Sequence, residues 1–95
     1  MNILHHSFYK GHPVAIIAGY DRVLTTFFMY VQAQQVGCPD ANPATALVYS
    51  NWDDVNLPKY EVKDNPDYFK QKLIDLNIAF PPDFFPKVVH SKTIK

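Results

Sequence analysis

Two blocks of the chain are apolar at consecutive positions: Val14-Ala15-Ile16-Ile17-Ala18 and Phe27-Phe28-Met29-Tyr30-Val31. Successive side chains of a strand point to opposite faces of the sheet, so each block puts apolar groups on both faces. A sheet built around such strands needs cover on both sides. Only one convincing amphipathic helix follows in the chain. The mismatch predicts a partner, either a second copy or another protein, because apolar patches beyond a few hundred Å² rarely stay exposed.

The remaining pattern orders the elements. Residues 3–9 alternate loosely, and Lys10-Gly11-His12-Pro13 reads as a turn in which Gly11 supplies positive φ without a steric penalty. Residues 14–18 make a second strand, closed by the turn Gly19-Tyr20-Asp21-Arg22. Residues 23–32 make a third. A helix competes there, because Leu24, Phe27, Phe28 and Val31 fall at helical spacing, but the β-branched and aromatic content favours a strand. Residues 34–43 form a loop rich in Gly, Pro, Asp and Asn, 45–49 a fourth strand, and Tyr60-Glu61-Val62 a short edge strand at most.

The clearest helix opens at Asp64-Asn65-Pro66, with Asn65 suited to the N-cap and Pro66 to the first helical position. Phe69, Leu73 and Leu76 then recur at i, i+4 and i+7, Lys70, Gln71 and Asp75 face outward, and Asn77 suits a left-handed cap. Near the end, Asp83 can cap a short helix that tolerates Pro86 in its first turn, with Phe84, Phe85, Val88 and Val89 as its apolar face. This piece is expected to cover part of the other side of the sheet. The fold expected is α+β: one domain, residues 1–95, with a four-stranded antiparallel meander, one main helix in the C-terminal half and a short C-terminal helical turn.

Composition narrows the function classes. Ninety-five residues make one domain, and 47% hydrophobic with 19% charged residues is a globular balance. Nine basic residues match nine acidic ones, which removes the electrostatic case for nucleic-acid binding. The charges are segregated, however. Residues 51–67 hold five acids against two lysines, and 68–95 five lysines against two acids. No run reaches the roughly 20 apolar residues of a membrane span. A single cysteine and no signal-peptide pattern point to a reducing cytosol, bacterial or phage.

Candidate chemistry is thin. His5 and His6 are adjacent, so on a strand they diverge; with His12, His90 and Cys38 they lack the spacing of a zinc site. Cys38, between Gly37 and Pro39, reads as an incidental loop thiol that can be exposed. Asp53-Asp54 lack the alternating donors and central glycine of a calcium loop. Three scattered glycines make no phosphate cradle. No cofactor or metal is expected.

What stands out is recognition chemistry. Tyr20-Asp21-Arg22 places Arg and Tyr, typical interface anchors, at a hairpin tip, and Trp52 lies on a polar loop. The sequence therefore reads as a non-enzymatic interaction module (an inhibitor, adaptor or accessory protein) whose contact residues are Tyr20, Asp21, Arg22, Tyr30 and Trp52. A second reading is a small-ligand-binding or catalytic homodimer with a site between subunits near Tyr49, Trp52 and Asp53. A concave pocket with converging polar groups favours the second; a flat aromatic patch favours the first.

Overall fold

A computed structural model describes residues 2–93. Four strands, β1 (Asn2–Tyr9), β2 (His12–Asp21), β3 (Thr26–Ala33) and β4 (Leu47–Ser50), form an antiparallel meander in the order β1-β2-β3-β4. A 3₁₀ turn (Glu61–Lys63) and two helices, α1 (Asp67–Asp75) and α2 (Phe84–Ser91), follow. The α+β class and the meander are as the sequence predicts.

Local chemistry explains the links. β1 and β2 are joined by Lys10-Gly11, both at positive φ (50° and 81°), with Tyr9 paired to His12. That is the backbone of a two-residue hairpin turn whose twist matches the strands. Between β2 and β3, the Asp21 carboxylate accepts hydrogen bonds from the N–H groups of Val23 (2.9 Å) and Leu24 (3.0 Å). Asn65 Oδ1 accepts from the Asp67 N–H at the entry of α1, and Asn77 stands at φ 57° beyond its end. Asn77 fits the left-handed role its residue type suggests, whereas the N-cap position falls to Pro66 and not to Asn65, since the helix begins at Asp67.

One face of the sheet holds the core. Val14, Ile16 and Ala18 of β2 and Phe27, Met29 and Val31 of β3 cluster with Val62 of the 3₁₀ turn, Phe69 and Leu73 of α1, and Phe84, Phe85 and Val88 of α2. The facing residues of β1 join from the same side. His5 meets the Phe84 ring edge-on at 6.3 Å, and the Ser7 hydroxyl donates to the Ala79 carbonyl at 2.6 Å.

Four expectations need correction. The turn expected at Gly19-Tyr20-Asp21-Arg22 lies instead at residues 22–25, because β2 continues to Asp21 with Gly19, Tyr20 and Asp21 paired to Phe28, Phe27 and Thr26. Residues 60–62 form no edge strand: residues 61–63 wind into the 3₁₀ turn, with the N–H groups of Glu61 and Val62 donating to the Pro58 carbonyl. Cys38 is buried and belongs to the core cluster. Most consequentially, α2 does not cross to the other side of the sheet. Phe84, Phe85 and Val88 reach the core from the side that α1 already covers. The physical reason lies in the short link: α1 ends at Asp75, and Ile78 and Ala79 hold the connection to the core and to Ser7.

Candidate interaction surface

The opposite face is built from the alternate residues: Leu4, His6 and Phe8 on β1, Ala15, Ile17 and Gly19 on β2, and Phe28, Tyr30 and Gln32 on β3. Leu4 pairs with Ile17, and Ile17 with Tyr30, so these three side chains form one row across the sheet. Ala15 and Ile17 are buried but stand outside the core cluster. What shields them is their neighbours, since β2 lies between two strands. Phe28 and Tyr30, half-buried, stack with centroids 6.3 Å apart and planes 19° apart. At the other margin Leu4 is 55% exposed and Phe8 63%. The face is thus a floor along β2 between two apolar ridges. Among the described residues, no helix packs on it, and none of the nine side chains named is a Lys, Arg, Asp or Glu.

The hairpin tip is different. Tyr20 is half-buried, meeting Phe27 edge-on at 5.1 Å, with the Lys92 ammonium 5.4 Å from its ring. Asp21 is occupied with the turn, as described above. Arg22 reaches the C-terminus of α2, where its Nη2 donates to the Ser91 carbonyl at 3.5 Å. The tip therefore pins β2–β3 to α2. Of the five candidate contact residues, Tyr30 lies on the helix-free face, and Asp21, at the end of β2, shares its strand parity. Trp52, 63% exposed, stands just beyond β4 on a turn in which its N–H donates to Ser50 Oγ.

A polar clasp closes the loop after β4. Asp54 Oδ2 accepts hydrogen bonds from the hydroxyls of Tyr49 (2.7 Å) and Tyr68 (2.8 Å), and Oδ1 accepts from the Asn56 N–H. Lys72 Nζ stands 4.0 Å from the same carboxylate and lies over both tyrosine rings. Burial pushes the Asp54 carboxyl up, but the two hydroxyls, the Asn56 N–H and the Lys72 charge outweigh it, and the net shift is downward. Burial and the Asp54 hydrogen bond raise both tyrosines, Tyr68 to about 12. Tyr49, Asp54 and Lys72 of the clasp, with Asp53, line a cleft of about 330 Å³. Its polar groups are already satisfied by one another, which makes it a fastening between the β4 loop and α1.

A second cleft, of about 290 Å³, is lined by Leu24, Phe27, Asn51, Trp52, Val62 and Lys63, among others. The Asn51 Oδ1 is buried without a hydrogen-bond partner. Among the described residues, no three His, Cys, Asp or Glu side chains gather as a metal site, and no helix is long and apolar enough to cross a membrane.

Sequence reading missed Leu4 and Phe8 as surface candidates. The signal was present, since Leu4, His6 and Phe8 share the strand parity that faces away from Tyr9. The Tyr49–Asp54–Tyr68 clasp left no sequence signal, because its members come from a strand, a loop and a helix. Comparisons with protein-family models, curated proteins and solved structures gave no match to this chain.

Proposed function

We propose that the protein is a non-enzymatic interaction module, an inhibitor, adaptor or accessory protein, that docks a protein partner on the helix-free face of its sheet. One observation carries the reading: an apolar, helix-free face on which Leu4 and Phe8 are more than half exposed along one margin and Phe28 and Tyr30 stack along the other. Fully burying one such side chain contributes roughly 1.5–3 kcal/mol, and aromatic anchors are typical of interface centres. Tyr30 is then a contact residue and Trp52 a flanking one, while Tyr20, Asp21 and Arg22 serve to hold the hairpin on α2. The single, buried thiol suits a reducing cytosol, bacterial or phage.

Affinity capture from cells that express the protein tests this. Wild type and a Val23→Lys/Val55→Lys control, altered at apolar positions away from the face, should retain a stoichiometric partner. A Leu4→Lys/Phe8→Lys variant should lose it. Equal retention by both variants would overturn the reading.

Small-ligand binding is the second reading, favoured by the unpartnered Asn51 Oδ1 beside the Trp52 cleft. It predicts that a panel of small hydrogen-bond donors, such as primary amides and alkylammonium compounds, raises the melting temperature of wild type and not of Trp52→Ala.

A further inference from the structure

We infer that the cleft beside Trp52 binds a small planar cyclic amide that carries a carboxylate. The inference rests on the second reading above, ligand binding at this cleft, and names the class of ligand.

Asn51 sets the hydrogen-bonding requirement. It follows β4 directly, is 6% exposed, and its backbone N–H donates to the Met29 carbonyl at 3.1 Å, which fixes it to β3. It lines the cleft, and its Oδ1 is buried without a hydrogen-bond partner. A buried acceptor left unpaired costs free energy that a donor brought into the cleft recovers. A carboxamide holds an acceptor and a donor side by side, and a turn about its last torsion exchanges the two without moving the backbone. A lactam complements both positions in either orientation, because its ring forces C=O and N–H onto one edge. Thr26 offers no competing donor, since its hydroxyl is committed to the carbonyls of Phe27 (3.2 Å) and Val62 (3.3 Å).

The walls ask for a flat, apolar body. Leu24, Phe27, Leu57 and Val62 line the cleft, and the Trp52 indole is 63% exposed. A ring laid against the indole removes apolar area from water and gains the stacking of two aromatic faces. The volume, about 290 Å³, lies at the lower end of small-molecule sites, which suits one ring and excludes a whole nucleotide.

Charge discriminates among the donors that the second reading admits. Lys59 and Lys63, both exposed, line the cleft, and no Asp or Glu does. Among the described residues neither ammonium belongs to an ion pair. They attract a carboxylate on the ring and turn away alkylammonium compounds.

Chemical-shift titration of the ¹⁵N-labelled protein provides the test, read at the single indole N–H and at the Asn51 side-chain amide. Orotate, a planar lactam with a carboxylate, should shift both and saturate with a dissociation constant on the order of 1 mM. Uracil, the same ring without the carboxylate, should bind about threefold more weakly, a difference that fades as salt is raised. Benzoate and butylammonium should shift neither signal. Asn51→Leu should weaken orotate by more than about tenfold while melting no lower than wild type, because the unpaired acceptor is gone. Lys59→Ala/Lys63→Ala, at exposed positions, should bind orotate as weakly as wild type binds uracil. The probes on the unaltered protein keep the test independent of any variant's folding.

Three results would overturn the inference. One is orotate that leaves both signals unmoved at about 20 mM. Another is orotate affinity unchanged in a folded Asn51→Leu variant. The third is benzoate or butylammonium binding as tightly as orotate, which would remove the cyclic amide and leave ligand binding at the cleft standing. Silence of all four probes, together with no rise in melting temperature across the donor panel, would remove both.

Discussion

The two faces of this sheet are made from alternate residues of the same three strands, yet among the described residues only one has a second layer. On β3, Phe27, Met29 and Val31 are fully buried beneath the helices and the 3₁₀ turn, while Phe28 and Tyr30 between them are half-buried and Gln32 is exposed. On β1 the contrast is as sharp: Ser7 and Tyr9 are buried, Leu4 and Phe8 exposed. β2 breaks the pattern, since residues 14–19 are buried on both faces. Its two neighbours explain this, because flanking side chains from β1 and β3 close over Ala15 and Ile17. A continuous apolar run in a strand therefore reports a central place in the sheet as much as two layers of cover.

Adjacent residues on β3 provide the largest test of that contrast. Phe27→Ala removes a ring packed against Tyr20 inside the core cluster and should destabilise by about 3–5 kcal/mol. Phe28→Ala, one residue along, removes a half-buried ring that lacks a covering layer and should cost about 1 kcal/mol or less. Urea melts would measure both. Similar losses would mean that the second face is covered after all.

The helix layer gives the next contrast. Leu73, fully buried on α1, should cost about 2–5 kcal/mol on truncation to Ala, and the exposed Lys70 within about 0.5 kcal/mol. Equal effects in the same melts would place the wrong face of α1 against the sheet.

These two contrasts differ in how far the sequence announces them. Phe69 and Leu73 repeat at helical spacing, so the inward face of α1 is legible from residues alone. Phe27 and Phe28 are the same residue type in the same block, and only tertiary placement tells them apart. Which side α2 chose was equally hidden. Its apolar face was readable from Phe84, Phe85 and Val88, but a helix pattern names what must be buried and not against what. Cys38 and residues 60–62 were misread for a related reason: loop composition reports turn chemistry, whereas the structure there is set by distant partners such as Thr26, whose hydroxyl donates to the Val62 carbonyl. The unbalanced apolar load itself was legible, and it led to the helix-free face.

Polar fastening on the covered side should have a smaller effect with a defined pH signature. The Asp54 carboxyl is held below its usual range by Tyr49, Tyr68, the Asn56 N–H and Lys72, against the upward push of burial. A carboxyl lowered in the fold binds its proton more readily in the unfolded chain. Its stabilisation is therefore present above about pH 4, the ordinary Asp range, and is lost as pH falls through the lower folded value. Tyr49→Phe and Tyr68→Phe each remove one hydroxyl donor and should cost about 1 kcal/mol near pH 7. The double variant should also show a shallower loss of melting temperature between pH 5 and pH 2 than wild type. Parallel acid profiles would show that other carboxylates, such as Asp40 with its Tyr9 and Lys10 partners, govern the acid limit.

The smallest effect is expected at the hairpin tip, and it bears most directly on which region is functional. Arg22 makes one long hydrogen bond, 3.5 Å to the Ser91 carbonyl, and is otherwise exposed, so Arg22→Ala should change stability by no more than about 0.5 kcal/mol. Tyr20→Ala should cost more, about 1–2 kcal/mol, because it strips an edge-on ring from Phe27 and the contact with Lys92. Neither should alter partner capture, since both side chains serve the covered side of the sheet. Binding that collapses in Arg22→Ala while the melting temperature holds would reverse the comparison. The tip would then be the recognition element, and the apolar ridges of β1 and β3 would be ordinary surface.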